Sequence, residues 1–220
     1  MILRPEPGAS ATVGRARAIG LDAFAMPLFE VEPVAWEPPD PGKFDALLLT
    51  SANAVRHGGA VLDRLRGLPV YSVGGATADA ARDAGFEVAK SGTAGVERLL
   101  ETIPAGTRLL HLCGEHRTAA TAERAVIVPV YRARALPLPA GFRAIAGQAA
   151  AVHSPRAGQR LAELADQAGI DRATIRIAAI SEAAAEAAGA GWAMREAAGA
   201  PNEAALLALA ARLCDNPETT

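Results

Sequence analysis

Short apolar runs alternate with alanine-rich amphipathic stretches along most of the chain. The clearest case is the apolar run Val70–Val73, which is followed by Gly74, by Thr77 and by an alanine-rich stretch that ends at Gly85. This pattern predicts a buried strand, a glycine turn and a helix. The first backbone N–H groups of such a helix point away from the carboxyl end of the strand, and with the helix dipole they favour an anion.

The same reading predicts an alternation of strands and helices. Predicted strands cover residues 1–4, 46–50, 70–73, 87–89, 108–113, 126–132, 149–153, 175–180 and 191–195. Predicted helices cover residues 9–19, 52–66 (weakened by two glycines), 77–84, 95–102, 116–124, 156–168, 182–188 and 203–213, and the tail 215–220 is expected to be disordered. Alternation with short loops indicates parallel sheets with helices on both faces.

Two proline-rich extended stretches, residues 37–42 and 136–139, interrupt this alternation. Prolines of this kind stiffen a connection rather than build a core strand. We therefore predict an α/β fold of two parallel-sheet lobes joined by a two-stranded linker. Residues 1–34 and 136–220 form a discontinuous α/β domain, and residues 41–132 form an inserted α/β domain.

The two predicted domains echo each other. A strand followed by Ser51 and a helix resembles a later strand followed by Ser154 and a helix. The strand that leads to Gly74 likewise resembles the strand that leads to Ser181. The two pairs occur in the same order in both halves of the chain, which indicates a degenerate internal duplication.

Hydroxyl side chains follow four of the predicted strands, at Ser51, Thr77, Ser154 and Ser181. Ser and Thr are preferred helix N-caps, so capping alone explains them as well as a binding role does. Ligands of open α/β sheets bind beyond the carboxyl ends of the strands. Two such edges around one cleft would suit a large ligand with many carboxylates or phosphates.

Two further residues have a packing interpretation and a functional one. Tyr131 ends a strand beside a predicted crossing, where a tyrosine most often packs. Arg4, like Arg156, lies beside a proline at a strand end and can either meet ligand acids or remain a solvated surface residue.

Composition narrows the class of protein. The 220 residues are 50% hydrophobic, and a net charge of −2 argues against nucleic-acid and membrane-surface partners. The two cysteines lie far apart, which fits a reducing cytosol. No apolar run reaches the length needed to cross a bilayer, and no signal-peptide core follows the first residues. We expect a soluble cytoplasmic protein.

Generic motifs add little. His111, Cys113 and His116 give only a weak zinc signal, since no further ligand stands at a suitable spacing. The glycines at 74 and 75 do not complete a dinucleotide fingerprint, and no phosphate-binding P-loop motif occurs.

Taken together, several segments resemble the uroporphyrinogen-III synthase family. They are Arg4-Pro5, Pro27-Leu28, the stretch 45–55 (DALLLTSANAV, with Ser51 and Asn53), the stretch 73–78 with Gly74 and Thr77, Leu112-Cys113-Gly114-Glu115, Val130-Tyr131, Ser154-Pro155, Ile180-Ser181 and residues 197–201. Each is weak alone, but their order and spacing span nearly the whole chain.

The resemblance implies a two-lobed α/β enzyme, a lyase of porphyrin and heme biosynthesis. The reaction cyclises and dehydrates hydroxymethylbilane, an open-chain tetrapyrrole with eight carboxylates, and inverts its last ring to give uroporphyrinogen III. It needs no cofactor and no metal. Tyr131 matches the family's crossing-strand tyrosine and is the catalytic candidate.

The expected substrate-binding residues are Arg4, Ser51, Asn53, Gly74, Thr77, Gly114, Ser154 and Ser181. We also expect a monomer, with functional coupling to hydroxymethylbilane synthase. Two features depart from the family pattern. Ala184 stands where the second lobe often has a threonine, and the segment between Gly114 and Tyr131 is short. The alternative is a non-catalytic two-lobed cytosolic binding protein for an anionic metabolite.

Overall fold

A computed structural model describes residues 1–93, 95–116, 121 and 123–215 of the chain. Its contacts divide the chain into two compact units. The discontinuous unit comprises Met1–Glu30 and Ala135–Thr220, and the inserted unit comprises Val31–Arg134. The helix predicted over 116–124 and the tail predicted as disordered lie largely outside the described residues.

From residue 46 onward the described helices and strands occur in the order that the apolar runs predicted. The strands are β1 (Phe29–Pro33), β2 (Ala46–Leu49), β3 (Val70–Val73), β4 (Val88–Gly92), β5 (Leu109–Gly114), β6 (Ala125–Ala135), β7 (Ala149–Val152), β8 (Arg176–Ala179) and β9 (Met194–Ala197). The helices are α1 (Gly8–Ala18), α2 (Ala52–His57), α3 (Gly75–Asp83), α4 (Val96–Glu101), α5 (Pro155–Ala168), α6 (Glu182–Ala187) and α7 (Glu203–Asp215).

The inserted unit contains most of a six-stranded sheet with the order β1-β6-β5-β2-β3-β4. The strands from β6 to β4 pair in parallel. All four residues of β2 are buried, as expected for a central strand covered on both faces. Leu47 and Leu49 pack into the core on one face, and Leu48 packs into the core on the other.

Helix α2 is much shorter than the predicted helix 52–66. It ends at His57, and a 3₁₀ helix follows over Ala60–Leu65. The break falls at Gly59, whose φ of +71° lies in the left-handed region that favours glycine. Trp36 donates a hydrogen bond from Nε1 to the Gly58 carbonyl at 2.8 Å, which satisfies one acceptor at this helix end.

The discontinuous unit has a parallel three-stranded sheet of order β7-β8-β9. The strand predicted over residues 1–4 is reduced to one residue, since only Ile2 bridges to Ala25 and Ala151. The prediction of a strand there was wrong in extent, because the chain turns at residues 6–7 and α1 begins at Gly8.

The unit boundaries fall within β1 and near the end of β6, which are neighbours in the six-stranded sheet. Ion pairs join Glu32 on β1 to Arg132 and Arg134 on β6, with an Arg132 Nε to Glu32 Oε1 distance of 2.6 Å. The predicted fold class is confirmed: one discontinuous and one inserted α/β unit, each with a parallel sheet, joined by two strands.

Candidate active site

The carboxyl edge of the inserted unit's sheet brings together several predicted site residues. Leu49 pairs with Ser72 on one side and with Leu112 on the other, so β2, β3 and β5 end within two residues of one another. Ser51 follows β2, Gly74 follows β3, and Gly114 ends β5. Tyr131 lies opposite Gly114 in the parallel β5–β6 pair, at a shift in register.

The Tyr131 ring lies directly against Gly114. A Cβ atom on Gly114 would be 2.8 Å from Cε2, 2.9 Å from Cζ and 3.2 Å from the hydroxyl oxygen of Tyr131. Contacts under 3.0 Å are essentially never made by a real Cβ. The Tyr131 ring thus occupies the space that a Cβ atom at residue 114 would need, and only glycine fits there without a shift.

Burial raises the pKa of the Tyr131 hydroxyl above its usual 10, and the nearby Cys113 adds to the rise. Interactions with the Ser51 side chain and the Gly114 backbone act in the opposite direction. The hydroxyl is therefore protonated at neutral pH and can donate a hydrogen bond, with Ser51 and Gly114 beside it.

Helix α2 runs alongside this tyrosine. Ser51 is its N-cap, in extended conformation, and its Oγ accepts a hydrogen bond from the Asn53 N–H at 3.2 Å. At the other end of α2, the His57 ring lies 6.3 Å from the Tyr131 ring, centroid to centroid, with the planes tilted by 39°. Burial and the charge of Arg56 lower the pKa of His57, so this imidazole is neutral at pH 7.

His57 was not among the residues predicted from the sequence. The predicted helix extended to residue 66 and gave no reason to single out its sixth residue. The signal that could have found it is the pair of glycines at 58 and 59, which ends the helix there.

Gly74 and Thr77 form the start of α3. Gly74 has a φ of +83°, and no side chain caps this helix. Thr77 is 5% exposed, and its N–H donates to the Gly74 carbonyl at 3.1 Å. Ser72, just before this turn, is fully buried, and its Oγ has no hydrogen-bond partner.

Both ring nitrogens of His111 lie within hydrogen-bond distance of threonine hydroxyl groups. Its Nε2 lies 3.1 Å from Thr50 Oγ1 and its Nδ1 lies 2.9 Å from Thr121 Oγ1, with the imidazole almost fully buried. Across the part of the chain that the structure describes, no three His, Cys, Asp or Glu side chains are grouped to hold a metal ion.

The discontinuous unit has an equivalent polar edge. Val152 pairs with Ala179 on the neighbouring strand, which places Ser154 and Ser181 side by side just after their strands. Both serines are N-caps: Ser154 Oγ accepts from the Ala157 N–H at 3.2 Å, and Ser181 Oγ accepts from the Ala184 N–H at 3.3 Å. Helix α6 thus has a hydroxyl at its N-cap, Ser181, whereas α3 has Gly74 at its N-cap and a hydroxyl in its first turn at Thr77.

Ile2 pairs in parallel with Ala151, and Arg4 and His153 each come two residues later in the chain. Arg4 therefore lies at this same edge. Its Nη1 is 3.6 Å from Glu203 Oε1 and 3.5 Å from Thr12 Oγ1. His153 donates from Nδ1 to the Ala151 carbonyl at 3.3 Å, while its buried Nε2 has no partner. Burial, followed by the charge of Arg4, lowers the pKa of His153 to about 4.

The predicted site residues therefore form two sets. Tyr131, Ser51, Asn53, Gly74, Thr77 and Gly114 lie at or beside the carboxyl edge of the inserted unit, and Arg4, Ser154 and Ser181 lie at that of the discontinuous unit. Hydroxyls, an arginine and helix N-termini at the ends of parallel strands define a two-unit α/β protein suited to an anionic organic ligand.

Comparison with known proteins narrows this class. A family model described as Uroporphyrinogen-III synthase HemD matches residues 10–208. The chain belongs to the uroporphyrinogen-III synthase family, as the sequence motifs indicated. It is a heme-biosynthesis enzyme that acts on a tetrapyrrole, and family membership favours this role over the alternative of a non-catalytic binding protein.

Solved structures agree on the fold. Uroporphyrinogen-III synthetase from Helicobacter pylori is similar with a TM-score of 0.62 at 20% identity, over 87% of this chain and 93% of that one. A mutant uroporphyrinogen III synthase from Thermus thermophilus has a TM-score of 0.52 at 18% identity, over 98% and 99% of the two chains. No curated protein matches the chain. Within the described residues, none of the helices has both the length and the apolar character needed to span a membrane.

Proposed function

We propose that Tyr131 assists the step in which the substrate loses its hydroxyl group. In the family reaction, linear hydroxymethylbilane loses water and closes with its last ring inverted. The leaving hydroxyl departs as water, so a proton or a strong hydrogen bond must reach its oxygen. Tyr131 supports this role because its hydroxyl is protonated at neutral pH and its ring is fixed against Gly114.

A tyrosine with a raised pKa is a weak acid, so Tyr131 acts chiefly as a hydrogen-bond donor in this proposal. General acid assistance typically contributes about 10²–10⁴-fold to a rate. The linear substrate can also close without an enzyme, which gives the uninverted isomer. Selection of the inverted product must therefore come mainly from positioning, which can supply about 7–11 kcal/mol in favourable cases.

The other predicted site residues are proposed to bind the carboxylates of the substrate. We assign Ser51, Asn53, Gly74, Thr77 and Gly114 to contacts made by the inserted unit, and Arg4, Ser154 and Ser181 to contacts made by the discontinuous unit. The start of α3 supports this assignment because it has no side-chain cap. Thr77 lies in the first turn of α3, and we assign its hydroxyl, on a side chain that is 5% exposed, to the same carboxylate contact.

The proposal extends to the setting of the reaction. The enzyme works without a cofactor, as a cytoplasmic monomer, and receives its unstable substrate from hydroxymethylbilane synthase. The domains are residues 1–34 with 136–220, and residues 41–132. Sedimentation of the purified chain tests the monomer, and a dimer at micromolar concentration would refute it.

The function itself is tested by incubating the purified chain with freshly made hydroxymethylbilane. The tetrapyrroles are then oxidised and their isomers separated. We expect isomer III to dominate with the chain and isomer I to dominate in its absence. Isomer I in both samples would refute the proposed function, and tight substrate binding without turnover would favour a binding protein.

A further inference from the structure

A polar network surrounds Arg4 in the discontinuous unit, with Thr12 buried and the charged side chains partly exposed. Thr12 on α1 is fully buried and donates a hydrogen bond to Glu203 Oε1, the same oxygen that faces Arg4 Nη1. The other carboxylate oxygen, Oε2, lies 2.6 Å from Arg15 Nε. Glu203 is thus held from two sides, and one of its oxygens is directed at Arg4.

The backbone also leaves room for this arrangement. A Cβ atom on Gly8, the first residue of α1, would lie 2.7 Å from Arg4 Nε and 2.9 Å from Cζ. The arginine side chain therefore runs over a glycine to reach Thr12 and Glu203. Glu203 is the first residue of α7, where a carboxylate is also favoured by the helix dipole.

Two guanidinium groups, those of Arg4 and Arg15, lie within ion-pair distance of the one Glu203 carboxylate. Burial alone would raise the pKa of Glu203, but its contacts with Arg15, Thr12 and Arg4 lower it overall. The carboxylate is therefore ionised at neutral pH and attracts the Arg4 guanidinium.

We propose that Glu203, held by Thr12 and Arg15, is a positioning residue that orients the Arg4 guanidinium for a substrate carboxylate at the edge that carries Ser154 and Ser181. The inference rests on the proposed function, because it takes Arg4 as a substrate-binding group. An arginine side chain has high conformational entropy, and fixing it before binding improves affinity by reducing the cost of ordering.

The test compares Glu203→Gln in the wild-type and Arg4→Gln backgrounds, with hydroxymethylbilane as substrate. We expect Glu203→Gln to raise KM by about three- to ten-fold, as for the loss of part of a charge-assisted interaction, while kcat stays within about two-fold. In the Arg4→Gln background the same change should leave KM unaltered, since the two residues act as a unit.

Two variants complete the design. Arg17→Gln removes an exposed arginine from the same helix α1, where its Nε bonds the Ala23 carbonyl instead of Glu203, so KM should not change. Glu203→Asp keeps the charge but withdraws the carboxylate by one methylene, and it should raise KM in the same direction. Glu203→Asp carries the test alone if Glu203→Gln does not fold.

Three results would overturn the inference. A lower melting temperature with an unchanged KM would make the network purely structural. A lower KM in Glu203→Gln would mean that the carboxylate competes with substrate for Arg4. An equal rise in KM in both backgrounds would show that Glu203 acts independently of Arg4. Failure of the wild-type chain to form isomer III is a different result, which refutes the proposed function instead.

Discussion

The contact between Gly114 and Tyr131 allows the position of the catalytic candidate to be changed without altering its chemistry. In Gly114→Ala the new Cβ would lie 2.8 Å from Tyr131 Cε2, whereas ordinary van der Waals contact begins at 3.4 Å. The ring must therefore shift by roughly 0.6 Å, the difference of these distances. Residue 114 lies on β5, a buried strand that is paired with β6. Because this backbone is fixed on the strand, we expect most of the shift to fall on the Tyr131 ring.

The magnitude follows from two effects. Overpacking of a folded core costs about 1–3 kcal/mol of unfolding free energy. A displacement of about 1 Å in a reacting group can lower a rate by about 10²-fold, so a smaller shift should lower kcat by about ten-fold or more. Gly114→Ala retains the backbone groups of residue 114 and all the other groups assigned to the substrate's carboxylates, so KM should change much less than kcat.

The assay is the initial rate of isomer III formation, with chemical denaturation in parallel. Gly106→Ala is the matched control, because it adds the same methyl group just before β5 where no atom lies within 4 Å. In a Tyr131→Phe background Gly114→Ala should have little further effect on kcat, since the hydroxyl that it displaces is already absent. An unchanged kcat in Gly114→Ala, or the same fall in both backgrounds, would refute the assignment of Tyr131.

Other predictions concern single side chains. Thr77→Ala should lower the rate of isomer III formation clearly, while Thr77→Ser retains it. Ala184→Thr should lower the melting temperature, because Ala184 is fully buried. His153 has a pKa of about 4 in the folded chain, against 6.5 when unperturbed. Between these values the unfolded state binds a proton that the folded state does not. The free energy of unfolding should therefore fall by about 3 kcal/mol as the pH drops from 6.5 to 4. Urea unfolding at pH 7 and pH 4.5 should show this loss in the wild type and not in His153→Gln, and equal pH slopes would contradict it. Gly158→Ala should cost about 1–3 kcal/mol in urea unfolding, since its Cβ would lie 2.6 Å from the Ala184 carbonyl oxygen, while Gly14→Ala, with no atom within 4 Å, should be neutral or mildly stabilising.

Hydrophobic periodicity located most elements because each is short and bounded by glycine or proline. The run from Val70 to Gly85 gave the strand and the helix start to within two residues. Periodicity failed where backbone geometry decides the outcome. The left-handed Gly59 ends the helix that composition would extend, and a single residue, Ile2, replaces a predicted strand.

The site was predictable where function follows local position. Ser51 and Ser154 could be found because each stands directly after an apolar run, and register then brings neighbouring strand ends together. His57 and Glu203 could not be found in this way. Each becomes relevant only through a partner that is distant in sequence, Tyr131 for His57 and Arg4 for Glu203.

The most direct test of the account is the rate and isomer ratio of Tyr131→Phe with hydroxymethylbilane. This change keeps the ring against Gly114 and removes only the hydroxyl, so thermal stability should barely change. We predict a fall in kcat of about ten-fold or more, with isomer III still the main product, because positioning survives the loss of the donor. Full activity in Tyr131→Phe would contradict the account and would leave the reaction to positioning alone.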